Sequence, residues 1–293
     1  MALLLKAYAK INLHLDVVSK AENGYHGVNT VMQTVSLCDD IEISLNSRGA
    51  HSIICDSEDI PTDSKNLAWR AADLFFEAAK KDLWADIKIS KRIPMAAGLA
   101  GGSADAAAVF RGLNTLCGYP LSRDELLALG ARLGADIPFC IACGATFADG
   151  FGERLHPIPS MPSCYILVAC GKEGVSTPWA YSMLDRKYRN FVCGTYIPHS
   201  AERLMSAIEA GKLTDIAANI YNIFESAIEP ERTEVTIIKS QMSVGGALGA
   251  MMSGSGPSVF GIFDSKEKAE ATLDNLKGFG VSAFLAEPIS NIE

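Results

Sequence analysis

Gly98, Gly101 and Gly102 fall within five residues of one another, Ser103 follows at once, and Ala104-Asp105-Ala106-Ala107-Ala108-Val109-Phe110 continues as a helix-favouring run. This order prescribes a glycine-rich loop that delivers a helix N-terminus at Ser103. Glycines leave backbone N–H groups bare, and the helix dipole adds partial positive charge, so the combination suits a chain of phosphates. The loop lacks the Lys-Ser or Lys-Thr that completes a Walker A sequence. Nor is it the G-x-G-x-x-G turn of dinucleotide-binding folds, because Pro94 stands between it and the strand-like Ile87-Lys88-Ile89. The plain alternative is a flexible connector before a buried alanine-rich helix. Ser103 at the N-cap, with small residues behind it, favours a ligand.

The chain of 293 residues suffices for one large domain or two ordinary ones, and 48% hydrophobic residues supply the core. A formal charge of −8 argues against non-specific nucleic-acid binding but leaves room for a local basic pocket. No apolar run approaches a membrane span, and Met1-Ala2-Leu3-Leu4-Leu5-Lys6 is shorter than a signal peptide. Cysteines stand at 38, 55, 117, 140, 143, 164, 170 and 193. Without a secretory signal they read as reduced thiols of a cytoplasmic protein. Cys140 and Cys143 form a CxxC with no second pair at zinc spacing, and read as small buried apolar residues.

Residues 6–17 alternate. Ala7, Ala9, Ile11, Leu13, Leu15 and Val17 take one face of a strand; Tyr8, Lys10, Asn12, His14 and Asp16 take the other. Glu22-Asn23-Gly24 is a turn, and 28–37 reads as the next strand, with shorter ones at 41–45, 52–55 and 87–89. Helical spacing covers 65–80 and 103–116. Ser122 with Glu125 makes a capping box for a helix over 122–133, which Gly134 stops. Three prolines between His156 and Pro162 read as a linker. They divide the chain into domains over 1–158 and 159–293. The second carries a strand at 165–169, helices at 200–210, 230–242 and 266–276, and strands at 246–251, 258–263 and 281–285. No repeat or low-complexity segment occurs. Both halves are α+β in pattern, with helices interrupting a mostly antiparallel set of strands. The lack of a long heptad pattern leaves monomer and weak homodimer both open.

Four further constellations carry chemistry. Lys10 shares a strand face with Tyr8, Asn12 and His14; this is either a solvated face or one that looks into a cleft. In Gly134-Ala135-Asp136-Ile137-Pro138, Asp136 is either the N-cap of a short helix or a group that accepts or orients a hydroxyl proton. Gly24-Tyr25-His26 is either an ordinary hairpin tip or an aromatic and an imidazole placed to stack on and read a flat ring. Tyr181 is either a core aromatic or a second stacking partner. Ser253-Gly254-Ser255-Gly256-Pro257 is a second glycine loop between strands. Alone it is a hairpin with positive-φ positions; with the first loop it suggests a cleft over an anion.

The Gly98–Ser103 loop, the early Lys10 strand and the late Gly254-Ser255-Gly256-Pro257 loop resemble the three motifs of the GHMP small-molecule kinases, the group of galactokinase, homoserine kinase, mevalonate kinase and phosphomevalonate kinase. Ala9-Lys10-Ile11-Asn12-Leu13, Gly24-Tyr25-His26, Gly101-Gly102-Ser103-Ala104-Asp105 and Gly134-Ala135-Asp136-Ile137-Pro138-Phe139 extend the likeness, in the family's order, from about residue 6 to about residue 286. The resemblance implies two lobes, an N-terminal α/β nucleotide-binding one and a C-terminal ferredoxin-like one. It implies ATP along Pro94, Met95, Ala96, Ala97, Gly98, Leu99, Ala100, Gly101, Gly102, Ser103 and Ala104. Asn66, Lys91 and Met95 match positions near the adenine. Lys10 and Asp136 match the catalytic pair, with Lys10 keeping Asp136 ionised. Asn12 would place the substrate hydroxyl; Tyr25, His26 and Tyr181 match a cytosine site. The implied activity is ATP-dependent phosphorylation of a cytidine-diphosphate-linked polyol in isoprenoid precursor biosynthesis. Mg²⁺ is expected with the ATP, and no protein ligand for it stands out. Two positions depart from the pattern: Tyr8 replaces a small residue or proline, and Ala100 replaces a glycine. Homoserine and mevalonate carry no base for the Tyr25-His26 turn. A catalytically silent nucleotide binder would not need both Lys10 and Asp136.

Overall fold

The computed structural model describes residues 2–22, 24–171, 173–188 and 196–290. Asn23, in the expected turn, and Cys193 lie outside them. The backbone divides into two compact units that interleave along the chain. The first comprises Met1–Ala9, Cys38–Pro94 and Ala100–Ala142; the second comprises Lys10–Leu37, Met95–Leu99 and Cys143–Glu293. Two long strands, β1 (Leu3–Lys20) and β2 (His26–Asn46), each contribute to both.

In the first unit the end of β2 pairs antiparallel with β4 (Trp84–Ser90), in register from Asp40↔Ser90 to Asn46↔Trp84. β4 pairs parallel with β3 (Ser52–Cys55). Ala85, Ile87 and Ile89 alternate into the core with Ile41, Ile43 and Ile53, as strand periodicity demands. Four helices complete the unit: α1 (Leu67–Ala79), α2 (Gly101–Leu116), α3 (Arg123–Leu133) and α4 (Ile137–Ala142). The Asn66 side chain caps α1 by accepting from Ala68 N at 2.8 Å. The capping box of Ser122 and Glu125 opens α3 as the sequence predicts. α2 is buried along almost its whole length, which its alanines permit. At Gly112 a Cβ would come within 2.7 Å of Ile43 and 2.8 Å of Leu5, so any larger residue would require the ends of those side chains to shift.

In the second unit the start of β2 pairs with β5 (Ala145–Asp149), which pairs with β6 (Arg154–Ile158). The end of β1 pairs parallel with β8 (Tyr221–Asn222). A separate antiparallel sheet has the order β11 (Ser282–Ala286), β7 (Tyr165–Cys170), β10 (Val259–Phe263), β9 (Gly249–Met252). Between β7 and β9 lie α5 (Thr177–Lys187), α6 (Glu202–Glu209), α7 (Leu213–Ala218), α8 (Glu225–Ile228) and α9 (Thr233–Val244); between β10 and β11 lies α10 (Lys266–Gly278). A strand, a helical crossover, a hairpin, a second helical crossover and a last strand, laid out in this order, make the ferredoxin-like arrangement. The whole is α+β, as expected.

Three local readings change. The helix starts at Gly101, not Ser103: Ala100, at φ 59°, is the N-cap and Ser103 is the third helical residue. A left-handed residue at the cap turns the chain into the helix two positions early. Part of the proline-rich stretch read as a linker is β6, an edge strand in which Pro157 is tolerated because its missing N–H is not needed there. And β1 has no solvated face around Lys10. Lys10, Asn12, His14 and Asp16 are all buried, as are the alternating Ala9, Ile11, Leu13 and Leu15.

Candidate active site

Lys10 is 4% exposed, on the part of β1 that belongs to the second unit. Its ammonium donates to Asn12 Oδ1 at 2.6 Å and to the carbonyl of Gly98 at 3.0 Å, and it has no ion pair among the described residues. A buried ammonium without a counter-ion is costly, and a site that binds an anion resolves the cost. Asn12 is itself fixed: Nδ2 donates to Thr30 Oγ1 at 2.8 Å, and Thr30 donates to the His14 carbonyl at 2.7 Å.

The two glycine loops meet here. Ser253 Oγ donates to the Gly98 carbonyl at 3.1 Å and accepts from Asn12 N at 3.3 Å. Gly98 has φ +77°, and a Cβ there would sit 2.1 Å from the Ser253 carbonyl oxygen; Gly254 has φ +58° and would clash with Gly98 in turn. Both conditions, the left-handed backbone and the close approach, exclude a side chain. Asn222 latches the second loop, donating to the carbonyls of Met252 and Gly254 at 2.7 and 2.8 Å. Ala96 and Ala97 are held by Val175 N and Ser258 N, which donate to their carbonyls. Pro94 precedes the segment, Met95 is exposed and Leu99, whose carbonyl accepts from Lys10 N, is buried.

Past Leu99 the chain enters the first unit at Ala100, and Gly101, Gly102, Ser103 and Ala104 open α2. No side chain caps this helix and no acid lies in its first turn. The amides of Gly101, Gly102 and Ser103 therefore lack a side-chain cap, and the helix dipole lies behind them. Asn66 and Lys91 are also in the first unit. Asn66 is committed to its cap and to the Pro61 carbonyl at 2.7 Å. Lys91 forms ion pairs with Asp39 and Asp105. Asp136 is half-buried immediately before α4, and its carbonyl accepts from Cys140 N.

The aromatic group lies in the second unit. Tyr25 is 66% exposed and meets Phe151 edge-on. His26 is buried and stacks on Tyr181, with centroids 4.6 Å apart and planes 25° from parallel. Tyr181 also abuts Phe224 edge-on at 5.0 Å. Sequence reasoning missed the anchor of this group. Asp185 joins His26 Nε2 at 2.8 Å through one oxygen and accepts from Lys20 Nζ at 2.6 Å through the other. Burial alone would raise the Asp185 carboxyl, but the bonds from Lys20 and His26 outweigh it and hold the group below its usual range. The signal was available: Asp185 follows Tyr181 by four residues on α5, so both project from one face. Among the described residues no cluster of His, Cys, Asp and Glu has the makings of a metal site. Among the described residues no helix is long and apolar enough to cross a membrane.

Residues 66–144 match the pattern of the GHMP kinases N terminal domain, and 204–282 that of the GHMP kinases C terminal domain. The 4-diphosphocytidyl-2-C-methyl-D-erythritol kinase of Acetivibrio thermocellus is 41% identical over 97% of this chain and 98% of its own. The enzyme of that name from Caldicellulosiruptor saccharolyticus is 43% identical over 94% of this chain and 93% of its own. A crystal structure of 4-(cytidine 5'-diphospho)-2C-methyl-D-erythritol kinase superposes with a TM-score of 0.83 at 30% identity, covering 99% of this chain and all 100% of its own. The homoserine kinase of Cytophaga hutchinsonii, at 18% identity and a TM-score of 0.73, shares the fold. With both domain patterns matched and full-length relatives at this identity, the chain belongs to the GHMP kinase family.

Proposed function

We propose that this chain uses ATP to phosphorylate the 2-hydroxyl of 4-diphosphocytidyl-2-C-methyl-D-erythritol, a step of the methylerythritol phosphate route to isoprenoid precursors. The observation that carries this reading furthest is the buried Lys10 ammonium, unpaired and donating to the Gly98 carbonyl where the two glycine loops meet. The full-length relatives of that name support the choice of substrate. Bare amides at the start of a long helix, in the first unit, and an ammonium without a counter-ion, in the second, are each donors suited to phosphate oxygens, so the residues fit the triphosphate.

In this reading Pro94 to Ala104 hold ATP, its phosphates on the first turn of α2, with Asn66, Lys91 and Met95 toward the adenine. Asp136 accepts or orients the proton of the attacking hydroxyl. Lys10 stabilises negative charge as the phosphoryl group transfers, and Asn12 positions the hydroxyl. Tyr25 and Tyr181 offer ring faces to the cytosine and His26 offers ring nitrogens. Mg²⁺ bound with the ATP supplies further charge neutralisation; its protein ligands are not assigned. Positioning and electrostatics then account for most of the rate. The metabolic role fits a cytoplasmic enzyme acting on small molecules.

A coupled ADP-release assay tests the reading. The expected result is Mg²⁺-dependent turnover of the cytidyl substrate and none of homoserine or mevalonate. Phosphorylation of homoserine alone, or of nothing, overturns it. Asp136→Asn is expected to lower kcat at least about a hundredfold while ATP affinity is retained. Full activity in that variant removes Asp136 from the mechanism.

A further inference from the structure

Behind the first turn of α2, the first unit holds an ion cluster whose two carboxylates have no part in the proposed transfer. Lys91 Nζ donates to Asp39 Oδ2 and, at 2.8 Å, to Asp105 Oδ2. The three side chains are 8%, 0% and 4% exposed. Asp39 is satisfied on both oxygens, since its Oδ1 also accepts from Arg92 N and from Ile93 N at 2.8 Å. Asp105 is not: its Oδ1 is buried with no hydrogen-bond partner. The ammonium lies close to the turn, for a Cβ built on Gly101 would stand 3.4 Å from Lys91 Nζ. Around the cluster, Asp56 accepts from the Lys91 backbone N–H, the Cys55 thiol is pushed up by burial, and Arg92 turns its guanidinium to Asp40.

One ammonium and two carboxylates leave one negative charge in excess. It would be buried against the amides that the reading above gives to phosphate, where a like charge opposes binding. A neutral acid is far cheaper to bury than an ion, and a carboxylate with one oxygen that no donor reaches is poorly stabilised as the anion. We propose that Asp105 holds a proton that neutralises this cluster, and that phosphates on the first turn of α2 keep it there, making Asp105 a positioning residue that couples ATP binding to proton uptake. Burial, reinforced by the Asp39 carboxylate and only partly opposed by Lys91, raises the Asp105 carboxyl well above the usual carboxylate range. As pH rises through its folded value the proton leaves, the excess charge appears, and affinity for the nucleotide falls. The inference rests on the phosphate reading of α2.

Asp105→Asn copies the neutral acid at every pH. Calorimetric titration with Mg²⁺ and the unhydrolysable analogue AMP-PNP, in buffers of different ionisation enthalpy, counts the protons exchanged. The ligand's own protons are common to both proteins and cancel in the comparison. The wild type is expected to take up more protons than the variant. Its affinity relative to the variant is expected to fall about tenfold between about pH 6 and about pH 9. A second measurement needs no variant: the ¹³C carboxyl titration midpoint of Asp105 rises when AMP-PNP binds. Equal proton counts, parallel pH profiles or an unmoved midpoint overturn the inference and leave the phosphate reading standing. A wild type that binds no AMP-PNP overturns both.

Discussion

Asp185 shows what a single side chain adds to the proposed recognition of a base. His26 is buried with its ring stacked on Tyr181, and the carboxylate that meets Nε2 at 2.8 Å sets both the ring's plane and its tautomer. In the neutral ring the proton then sits on Nε2, and Nδ1 is the acceptor. Lys20 pairs with the other oxygen and keeps Asp185 ionised. Loss of a hydrogen bond to a charged group costs about 1.5–3 kcal/mol. Asp185→Ala is therefore expected to raise KM for the cytidyl substrate about tenfold or more, with KM for ATP unchanged and kcat within about twofold. Steady-state kinetics with each substrate varied in turn check this. An unchanged KM for the cytidyl substrate would separate Asp185, and with it the His26 ring, from recognition of the base.

Among the elements, the two glycine loops determine whether the Lys10 ammonium meets a carbonyl at all. Gly98 has two requirements, a left-handed φ and 2.1 Å of clearance to a backbone carbonyl that cannot swing away. Gly98→Ala must displace one loop, and KM for ATP is expected to rise more than tenfold. The control is Ala100→Gly, at a residue already left-handed at φ 59°, where the change relieves strain and leaves KM for ATP near the wild-type value. Equal effects of the two substitutions would mean that loop apposition does not matter. The loops themselves were legible in the sequence, since glycine spacing and a helix-favouring run are local signals. Their apposition was not: Ser253 and Gly98 are 155 positions apart, and no local pattern records such a contact. The same holds for β1. Alternation identified the strand and both of its faces, but a second buried face reads from sequence like a solvated one. Only the fold shows that Lys10 and His14 are enclosed. The helix start was missed because Ala100 adopts a conformation that its side chain disfavours, and propensity gives no warning of that.

For the molecule as a whole, the enclosed polar face of β1 predicts how stability responds to acid. His14 is fully buried in the second unit, its ring 5.6 Å from that of His199 and 5.5 Å from that of Tyr221; among the described residues no side chain bonds its ring nitrogens, and the His199 backbone only partly offsets the cost of burial. Burial lowers its pKa to about 4, helped by the nearby His199. The unfolded chain binds a proton at this residue near its ordinary value of 6.5, whereas the folded one does not until about 4. Between those values the unfolded state holds more protons, so stability falls as the pH drops and rises as it returns. The shift corresponds to about 3 kcal/mol when complete, a large share of a typical domain's stability. Asp16, two residues along the strand, acts in the opposite sense. Burial raises its carboxyl despite bonds from Tyr196 and the His199 amide, so its contribution is lost as pH rises through the folded value. His14→Leu separates the two, because it removes the imidazole and leaves Asp16. Thermal unfolding followed from about pH 7 to about pH 4 is expected to show a shallower loss of Tm in the variant than in the wild type. Parallel curves would mean that His14 finds a proton's partner in the folded chain, and that the buried face of β1 is neither dry nor closed.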